Sequence, residues 1–243
     1  MNRDASFPPS SVPPGVRVYA IGDVHGRFDL LERLLDRVAR DAEPFGGRRV
    51  LVVLGDMVDR GPASAQVLER LSRLGDDPDF ARFERHMLMG NHEDMMLRFL
   101  AGEGQGFVWL LNGGKETVES YGVPGGLSPA GARAELLRRI PDAHRKFLDG
   151  LKTMHREGDY AFVHAGVRPH RPLDRQHADD LLWIRARFLD SAEDFGALVV
   201  HGHSPVERAE IHANRIAIDT RAWLSGTLTC LVLEGAGRRF LTT

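Results

Sequence analysis

The residues best suited to chemistry lie in the stretch Gly55-Asp56-Met57-Val58-Asp59-Arg60-Gly61-Pro62, which combines two carboxylates with a guanidinium. Five apolar residues, 50–54, precede it and predict a buried strand. Gly55 allows a sharp turn as the strand ends, and Pro62 suits the start of a helix. Asp56, Asp59 and Arg60 are therefore expected at the carboxyl end of a parallel strand, where open α/β sheets bind ligands. Alone, the same residues would also suit a surface turn.

Four further turns repeat this arrangement, because each places polar side chains beside a glycine after a short apolar stretch. The strands predicted before these turns are 16–21, 86–89, 160–163 and 197–200. Taken singly, the polar residues could be helix caps or surface histidines, but five similar turns favour one shared site. The candidate ligands in the four turns are Asp23, His25, Asn91, His92, His164, His201 and His203.

The chemistry that these side chains could support is the binding of metal ions. Oxygen and imidazole donors dominate the set, and they are too many for one ion of ordinary coordination but suit two. Two divalent ions roughly 3.5–4 Å apart can hold a phosphate group and activate water, with one carboxylate bridging them. We therefore expect two divalent metal ions; manganese is the expected metal, and iron or zinc would also fit these donors.

The elements that position the turns alternate between strand and helix over the first hundred residues, since apolar residues recur at helical spacing after each of the first three turns. Residues 102–158 then predict a helical insert, which could wall a substrate cleft or extend the core. His144 and His155 within it are expected at the surface. From residue 210, consecutive strands without helices predict an antiparallel meander.

Composition limits the class of protein. The 243 residues carry a net charge of −2 without a polybasic run, so nothing in the charge indicates binding to nucleic acid or to an anionic membrane. No apolar run reaches the roughly 18 residues of a membrane span. The single cysteine, Cys230, favours a reducing compartment, so a cytoplasmic location is expected. Residues 1–15 predict a flexible Pro/Ser-rich tail before a single domain over 16–243.

Five motifs in order resemble those of the calcineurin-like metallophosphoesterases: Gly-Asp-Val-His-Gly, Gly-Asp-Met-Val-Asp-Arg-Gly, Gly-Asn-His-Glu, His-Ala-Gly and Gly-His-Ser-Pro. The Val-Asp-Arg-Gly and Asn-His-Glu forms resemble the phosphoprotein phosphatase branch, especially its compact bacterial and phage Ser/Thr phosphatases. The resemblance spans about residues 16–234. Together with the strand pattern, it implies an α/β fold in which two mixed β-sheets pack as a sandwich with helices on the outer faces.

The resemblance also implies a role for each candidate residue. Asp23 and His25 would hold one metal, Asn91, His164 and His203 the other, and Asp56 would bridge them. His92 would be the general acid, oriented by Asp59. Arg60 and Arg185 would bind the phosphate group, and Arg187 is a weaker match. His201 is expected to orient the ligands, although an exchange of roles between His201 and His203 stays open.

The implied reaction is hydrolysis of phosphoserine or phosphothreonine esters, with phosphotyrosine as a further substrate, by direct attack of metal-activated hydroxide. The expected partner is a phosphorylated protein or a small phosphate ester. One alternative is a symmetrical dinucleoside tetraphosphate hydrolase, although such enzymes usually carry Gln where His25 stands. Another is a non-catalytic phosphate-binding module, against which the intact ligand set argues. Arg221, where similar enzymes usually carry Gly, is expected either to face solvent or to narrow the cleft.

Overall fold

The chain folds into two five-stranded sheets in the computed structural model, which describes residues 10–104 and 106–243. The strands are β1 Val16–Ile21, β2 Arg48–Val53, β3 Phe83–Met87, β4 Met154–Glu157, β5 Tyr160–Val163, β6 Leu198–His201, β7 Glu210–Ile211, β8 Arg215–Ala217, β9 Thr229–Glu234 and β10 Gly237–Thr242. The first sheet has the order β10-β9-β1-β2-β3, and the second has the order β4-β5-β6-β8-β7. Each sheet contains two parallel and two antiparallel strand pairs, so both sheets are mixed.

Helices follow most of the parallel strands. They are α1 Phe28–Ala42, α2 Ser64–Ser72, α3 Asn91–Ala101, α4 Gly106–Trp109, α5 Lys115–Ser120, α6 Pro129–Arg139, α7 Asp142–Asp149, α8 Ala178–Trp183, α9 Ala186–Leu189 and α10 Ala222–Ser225. A five-residue π-helical turn, Leu110–Gly114, links α4 to α5. In the described part of the chain, no helix combines the length and the apolar character needed to cross a membrane.

The layers follow from the alternation of side chains along the strands. In β1, Val18 and Ala20 point into a core between the two sheets, where they meet residues such as Phe162 and Val200. Tyr19 and Ile21 point the other way, into a core shared with α1, α2 and α3. A third core joins the outer face of the second sheet to α8 and α9. The predicted α/β sandwich with helices on its outer faces is confirmed.

Three predicted elements differ from the structure. The third strand spans Phe83–Met87 rather than 86–89. The late strands do not form a meander, because β7 and β8 pair in the second sheet whereas β9 and β10 pair in the first. The insert contains helices α4 to α7, but its last part is the edge strand β4. Alternation identifies a strand, but it does not identify the sheet that the strand joins.

Two further predictions need correction. The described part of the predicted tail, 10–15, is fixed to the domain: Val12 is buried, and its N–H donates to Gly235 O at 3.0 Å. Residues 1–9 lie outside the described residues. His144 is buried rather than exposed, because its ring nitrogens lie 2.8 Å from Tyr121 Oη and 2.8 Å from Glu69 Oε2. His155 is also largely covered, since it stacks on His86.

Candidate active site

The polar turns at the carboxyl ends of the central strands meet at one edge of the sandwich. Parallel strands end on the same side of a sheet, and here the ends from both sheets face each other. The first sheet contributes the turns after β1, β2 and β3, and the second contributes those after β5 and β6. All of the predicted metal ligands and the predicted acid are buried there, namely Asp23, His25, Asp56, Asn91, His92, His164 and His203.

Two groups of side chains could each hold a metal ion, and Asp56 belongs to both. In one group the ligand atoms of His25, Asp56 and His92 lie within 4.8 Å of one another, and in the other those of Asp56, His164 and His203 do. The two Asp56 oxygens face different sides: Oδ2 lies 3.5 Å from His25 Nε2, and Oδ1 lies 3.3 Å from His164 Nε2. This position is what a bridging carboxylate requires.

The donor atoms fit a cation, as His164 shows. Burial lowers the pKa of His164, so the ring is neutral and carries one proton. Nδ1 lies 3.0 Å from Leu54 O and takes that proton to donate to the carbonyl. Nε2 then presents a lone pair to Asn91 Oδ1, 2.9 Å away. Two facing acceptors repel each other, and a metal ion between such atoms would satisfy both.

Two buried atoms near this group have no hydrogen-bond partner among the described residues, Asp23 Oδ1 and His203 Nε2. Neighbouring polar atoms of the same two residues do have partners. The backbone N–H of His203 donates to Asp23 Oδ2 at 3.0 Å, and His203 Nδ1 lies 2.8 Å from Asn91 Oδ1. Buried polar atoms are rarely left unpaired. The orphaned oxygen and nitrogen therefore fit the role of metal ligands.

The electrostatics of the site also suit cations. Burial and the nearby Asp219 and Asp56 carboxylates raise the pKa of Asp23 well above its usual value. Burial also raises the pKa of Asp219, and the Asp56 carboxylate adds to this shift. Burial opposes ionisation of Asp56 as well, but the surrounding imidazoles outweigh it and lower its pKa. Divalent ions would relieve the repulsion among these carboxylates. Asp219 was not assigned a role from the sequence, although it follows the strand β8 as the other acids follow theirs.

Backbone strain concentrates at this edge. Among the described residues other than glycine, seven have a left-handed φ between 46° and 74°, and five of them belong to the site: His25, Asp56, Asp59, Arg60 and His203. Such conformations are costly and persist where the surroundings enforce them. Gly90 allows the tight approach, because a Cβ there would lie 2.2 Å from Asp56 Oδ1.

Glu93 holds the strained turn in place, a role that the sequence motifs alone do not predict. Its carboxylate accepts backbone N–H bonds from Asp56 at 2.8 Å, Met57 at 2.7 Å, Val58 at 3.1 Å and Gly90 at 2.8 Å. Its position in the sequence could have indicated this role, because Glu93 is the third residue of a helix that follows Gly90. At this position an acidic side chain can accept a hydrogen bond from the free N–H group of the N-cap residue.

His92 and Asp59 form a close pair beside the metal-binding groups. His92 Nδ1 lies 2.6 Å from Asp59 Oδ2, and both side chains are buried. Burial lowers the pKa of His92, but the Asp56 and Asp59 carboxylates outweigh it, so the net shift is upward. The predicted pair is therefore brought together. His92 Nε2 also lies 3.9 Å from Asp56 Oδ2, so the same ring is near enough to the first group to be a ligand.

The two predicted phosphate-binding arginines both lie at the site, but they contact different groups. Arg60 Nη1 is 2.9 Å from His25 Nε2, and Nη2 is 3.1 Å from His92 Nε2. Arg60 must therefore leave His25 before that nitrogen can bind a metal. Arg185 is exposed and donates to His203 O at 3.2 Å. Arg187 and Arg221 are exposed, which favours the solvent-facing alternative for Arg221.

His201 and His203 point to different parts of the molecule. His203 belongs to the second metal-binding group. His201 is buried against Phe188, with ring centroids 5.0 Å apart, and its Nδ1 lies 3.0 Å from Gly202 O. This placement disfavours the exchanged assignment. Among the described residues, the His201 ring makes no hydrogen bond to the side chain of a predicted metal ligand.

The chain resembles known phosphoesterases along most of its length. The family model described as calcineurin-like phosphoesterase matches residues 16–224. Serine/threonine-protein phosphatase 1 of Salmonella typhimurium is 30% identical over 87% of this chain and 89% of that protein. The asymmetrical bis(5'-nucleosyl)-tetraphosphatase PrpE of Anoxybacillus flavithermus is 27% identical over 87% and 88%. Symmetrical bis(5'-nucleosyl)-tetraphosphatases also match, but the chain spans only about half of their length.

Among solved structures, a cold-active protein tyrosine phosphatase superposes with a TM-score of 0.63. The two are 19% identical, and the match covers 95% of this chain and 81% of the other. At this identity the match supports the fold alone, and it agrees with the two-sheet architecture. The family match covers nearly the whole described domain and includes all five polar turns. The chain therefore belongs to the calcineurin-like phosphoesterase family.

Proposed function

We propose that this protein is a metal-dependent phosphomonoesterase that hydrolyses phosphoserine and phosphothreonine esters, with phosphotyrosine as a further substrate. The observation that carries the proposal is the buried Asp59–His92 pair beside the metal-binding groups. A general acid matters most when the leaving oxygen is a poor leaving group. A serine or threonine alkoxide needs such an acid, whereas a nucleotide phosphate leaves readily without one.

The proposed roles of the residues follow from their positions. Asp23, His25 and Asp56 would hold one metal ion, and Asp56, Asn91, His164 and His203 would hold the second, with manganese as the proposed metal in both. When bound, the ions supply an activated water and neutralise charge on the phosphoryl group. Arg60 and Arg185 add positive charge at the rim of the site for the phosphate oxygens.

His92 would deliver the proton in this scheme. The Asp59 carboxylate accepts the Nδ1 proton. Once Arg60 Nη2, which lies 3.1 Å from Nε2, has moved to the phosphate group, Nε2 can carry a proton and donate it to the departing ester oxygen. The same carboxylate fixes the plane of the imidazole, so the proton is held at one place. After the alcohol leaves, the ring is neutral, and it regains a proton from the next water that enters the site, which leaves a hydroxide for the following turnover.

The test compares two substrates in the variant His92→Asn. We expect kcat/KM for a phosphoserine peptide to fall about 10²–10⁴-fold. For p-nitrophenyl phosphate, whose leaving group needs little protonation, the loss should be far smaller. His177→Asn changes an exposed histidine and serves as the matched control. Equal loss with the two substrates would contradict the assignment of His92 as the acid.

Two exposed tryptophans support a second candidate, a dinucleoside tetraphosphate hydrolase. Trp183 is 42% exposed and its ring lies 6.4 Å from that of His203, while Trp223 is 39% exposed and lies 5.4 Å from Arg60 Cζ. Aromatic faces beside a phosphate site can stack nucleobases. The tetraphosphatases among the relatives make this substrate class worth testing.

Assays with a phosphoserine peptide and with diadenosine tetraphosphate, both with manganese, separate the candidates. The proposed phosphatase should show the higher kcat/KM for the peptide, and Trp183→Ala and Trp223→Ala should leave that value nearly unchanged. A preference for the dinucleotide that the two variants abolish would favour the second candidate. Binding of both compounds without turnover would indicate a non-catalytic phosphate-binding module.

The single buried cysteine supports the proposal that the protein works in a reducing compartment such as the cytoplasm.

A further inference from the structure

We infer that residues 106–120 of the insert, here called the brace, position the Asp59–His92 pair through Trp109 and Thr117. The inference rests on the proposed function, in which His92 protonates the leaving group. Trp109 and Thr117 lie too deep to touch a substrate, so they are positioning residues that act through Asp59. The brace is far from Asp59 in sequence, about fifty residues along the chain, and it reaches the site only in the folded protein.

Hydrogen bonds from the brace fix the Asp59 carboxylate at both oxygens. Trp109 Nε1 donates to Oδ2 at 2.8 Å, next to the bond from His92 Nδ1 at 2.6 Å. Thr117 Oγ1 donates to Oδ1 at 2.6 Å, and the same hydroxyl accepts the Asp59 N–H at 2.8 Å. Asp59 is completely buried, so water cannot replace either donor. The carboxylate plane, and with it the His92 ring, is therefore set by the brace.

The backbone of the brace is shaped to reach this position. The π-helical turn Leu110–Gly114 interrupts the helix, with non-helical torsions at Asn112 and Gly113. Gly113 has φ +105°, and a Cβ there would lie 2.6 Å from Arg60 N. Its carbonyl accepts the Arg60 N–H at 3.1 Å. π-turns of this kind often occur at functional sites.

Packing on two sides keeps the brace from shifting. The Trp109 ring lies on Phe99 of α3, with centroids 4.7 Å apart. Thr117 Oγ1 also lies 2.9 Å from Ser64 Oγ at the start of α2. Helix α3 carries His92 in its first turn, and α2 begins five residues after Asp59. The brace therefore ties the two halves of the pair to each other through the elements that bear them.

Three variants of the manganese-loaded full chain test the inference. Trp109→Phe keeps the ring and removes the N–H, Thr117→Val keeps the shape and removes the hydroxyl, and Thr117→Ser restores it. For a phosphoserine peptide we expect kcat to fall about 10–100-fold in the first two, with KM nearly unchanged. For p-nitrophenyl phosphate the loss should be at most about threefold, and Thr117→Ser should approach the parent protein on both substrates.

The same variants combined with His92→Asn separate a failure of this inference from a failure of the proposed function. If the brace acts through His92, Trp109→Phe should cause no further loss in the His92→Asn background. Equal losses on both substrates, or full additivity with His92→Asn, would overturn the inference. If His92→Asn itself shows no dependence on the leaving group, the proposed function fails first. Should Trp109→Phe not fold, the comparison of Thr117→Val with Thr117→Ser decides the question.

Discussion

Asp56 combines three properties that single residues seldom share. Its backbone is left-handed with φ 47°, its side chain is buried, and its two oxygens face histidines from different sheets. A strained turn of this kind persists only if its surroundings hold it. The four N–H bonds to Glu93 do so, which makes Glu93 a structural requirement for the metal-binding groups although its carboxylate contacts only backbone N–H groups there.

The variant Glu93→Gln should therefore lose both stability and metal affinity. A glutamine has one acceptor oxygen, and its amide N–H₂ would face N–H donors that the carboxylate now satisfies. We expect a loss of about 2–4 kcal/mol in the free energy of unfolding, measured by urea denaturation, and weaker manganese binding by calorimetry. Glu207→Gln changes an exposed glutamate and is the control. Parent-like stability and affinity would show that the turn does not depend on this carboxylate.

His201 and His203 give a second contrast between neighbouring residues. Only His203 lies in a metal-binding group, whereas His201 packs on Phe188. His203→Ala should reduce the manganese content of the purified protein, measured by plasma mass spectrometry, from two ions toward one. His201→Phe keeps an aromatic ring in the apolar pocket and should retain both ions. The reverse result would restore the exchanged assignment.

At the scale of elements, strand ends were the most predictable feature. A glycine, an apolar stretch and short polar side chains recur at each turn, and parallel strands bring such turns to one edge. The pairing of the late strands was less predictable. Strands β8 and β9 are near in sequence but lie in different sheets, because the choice of partner depends on packing between the layers.

The edges of the two sheets meet through a pair of stacked histidines. His86 of β3 and His155 of β4 stack with ring centroids 3.5 Å apart. Nearby, the backbones of Leu88 and Lys152 form an isolated parallel β-bridge. Burial lowers the pKa of His155 to about 4, and the neighbouring His86 adds to the shift. Other charges act on the ring from the same surface: Glu84 raises its pKa, while Arg48 and Lys152 lower it.

Stability should therefore fall as the solution is acidified through this range. The folded pKa of about 4 lies below the ordinary value of 6.5, so the unfolded chain binds the proton first. The stabilisation is complete above pH 6.5 and is lost as the pH falls toward 4. Between pH 7 and pH 5 the free energy of unfolding should fall by about 1 kcal/mol less in His155→Phe than in the parent protein, allowing for solvent screening. Urea denaturation of the two proteins at both pH values measures this difference. A difference between the two proteins that does not vary with pH would contradict this account.

At the scale of the whole molecule, contacts between distant segments could not be predicted from the sequence. Trp109 and Thr117 reach Asp59 from about fifty residues away, and His144 is buried because Tyr121 and Glu69 are brought to it. Each of these residues is unremarkable in its local pattern. Candidate ligands were recognisable because their signal is local, whereas the residues that support them are identified only by the packing of the fold.

Bound metal should also strengthen the junction between the two sheets. The second metal-binding group takes Asp56 from the first sheet and His164 and His203 from the second, so bound metal would join them. Ligands that bind only the folded state stabilise it, by about 2.7 kcal/mol for one site at a hundredfold excess over Kd. For a chain of this length, removing the metal with a chelator should lower Tm by roughly 5–10 °C, and added manganese should restore it.

The variant Asp56→Asn should largely lose this response to the chelator, because the shared carboxylate belongs to both groups. Asp36→Asn, which changes an exposed acid on α1, should respond as the parent protein does. Calorimetric scans of all three proteins with chelator and with manganese supply the comparison. An identical Tm for the parent under the two conditions would mean that no metal joins the sheets. An undiminished shift in Asp56→Asn would place the stabilising metal away from this carboxylate.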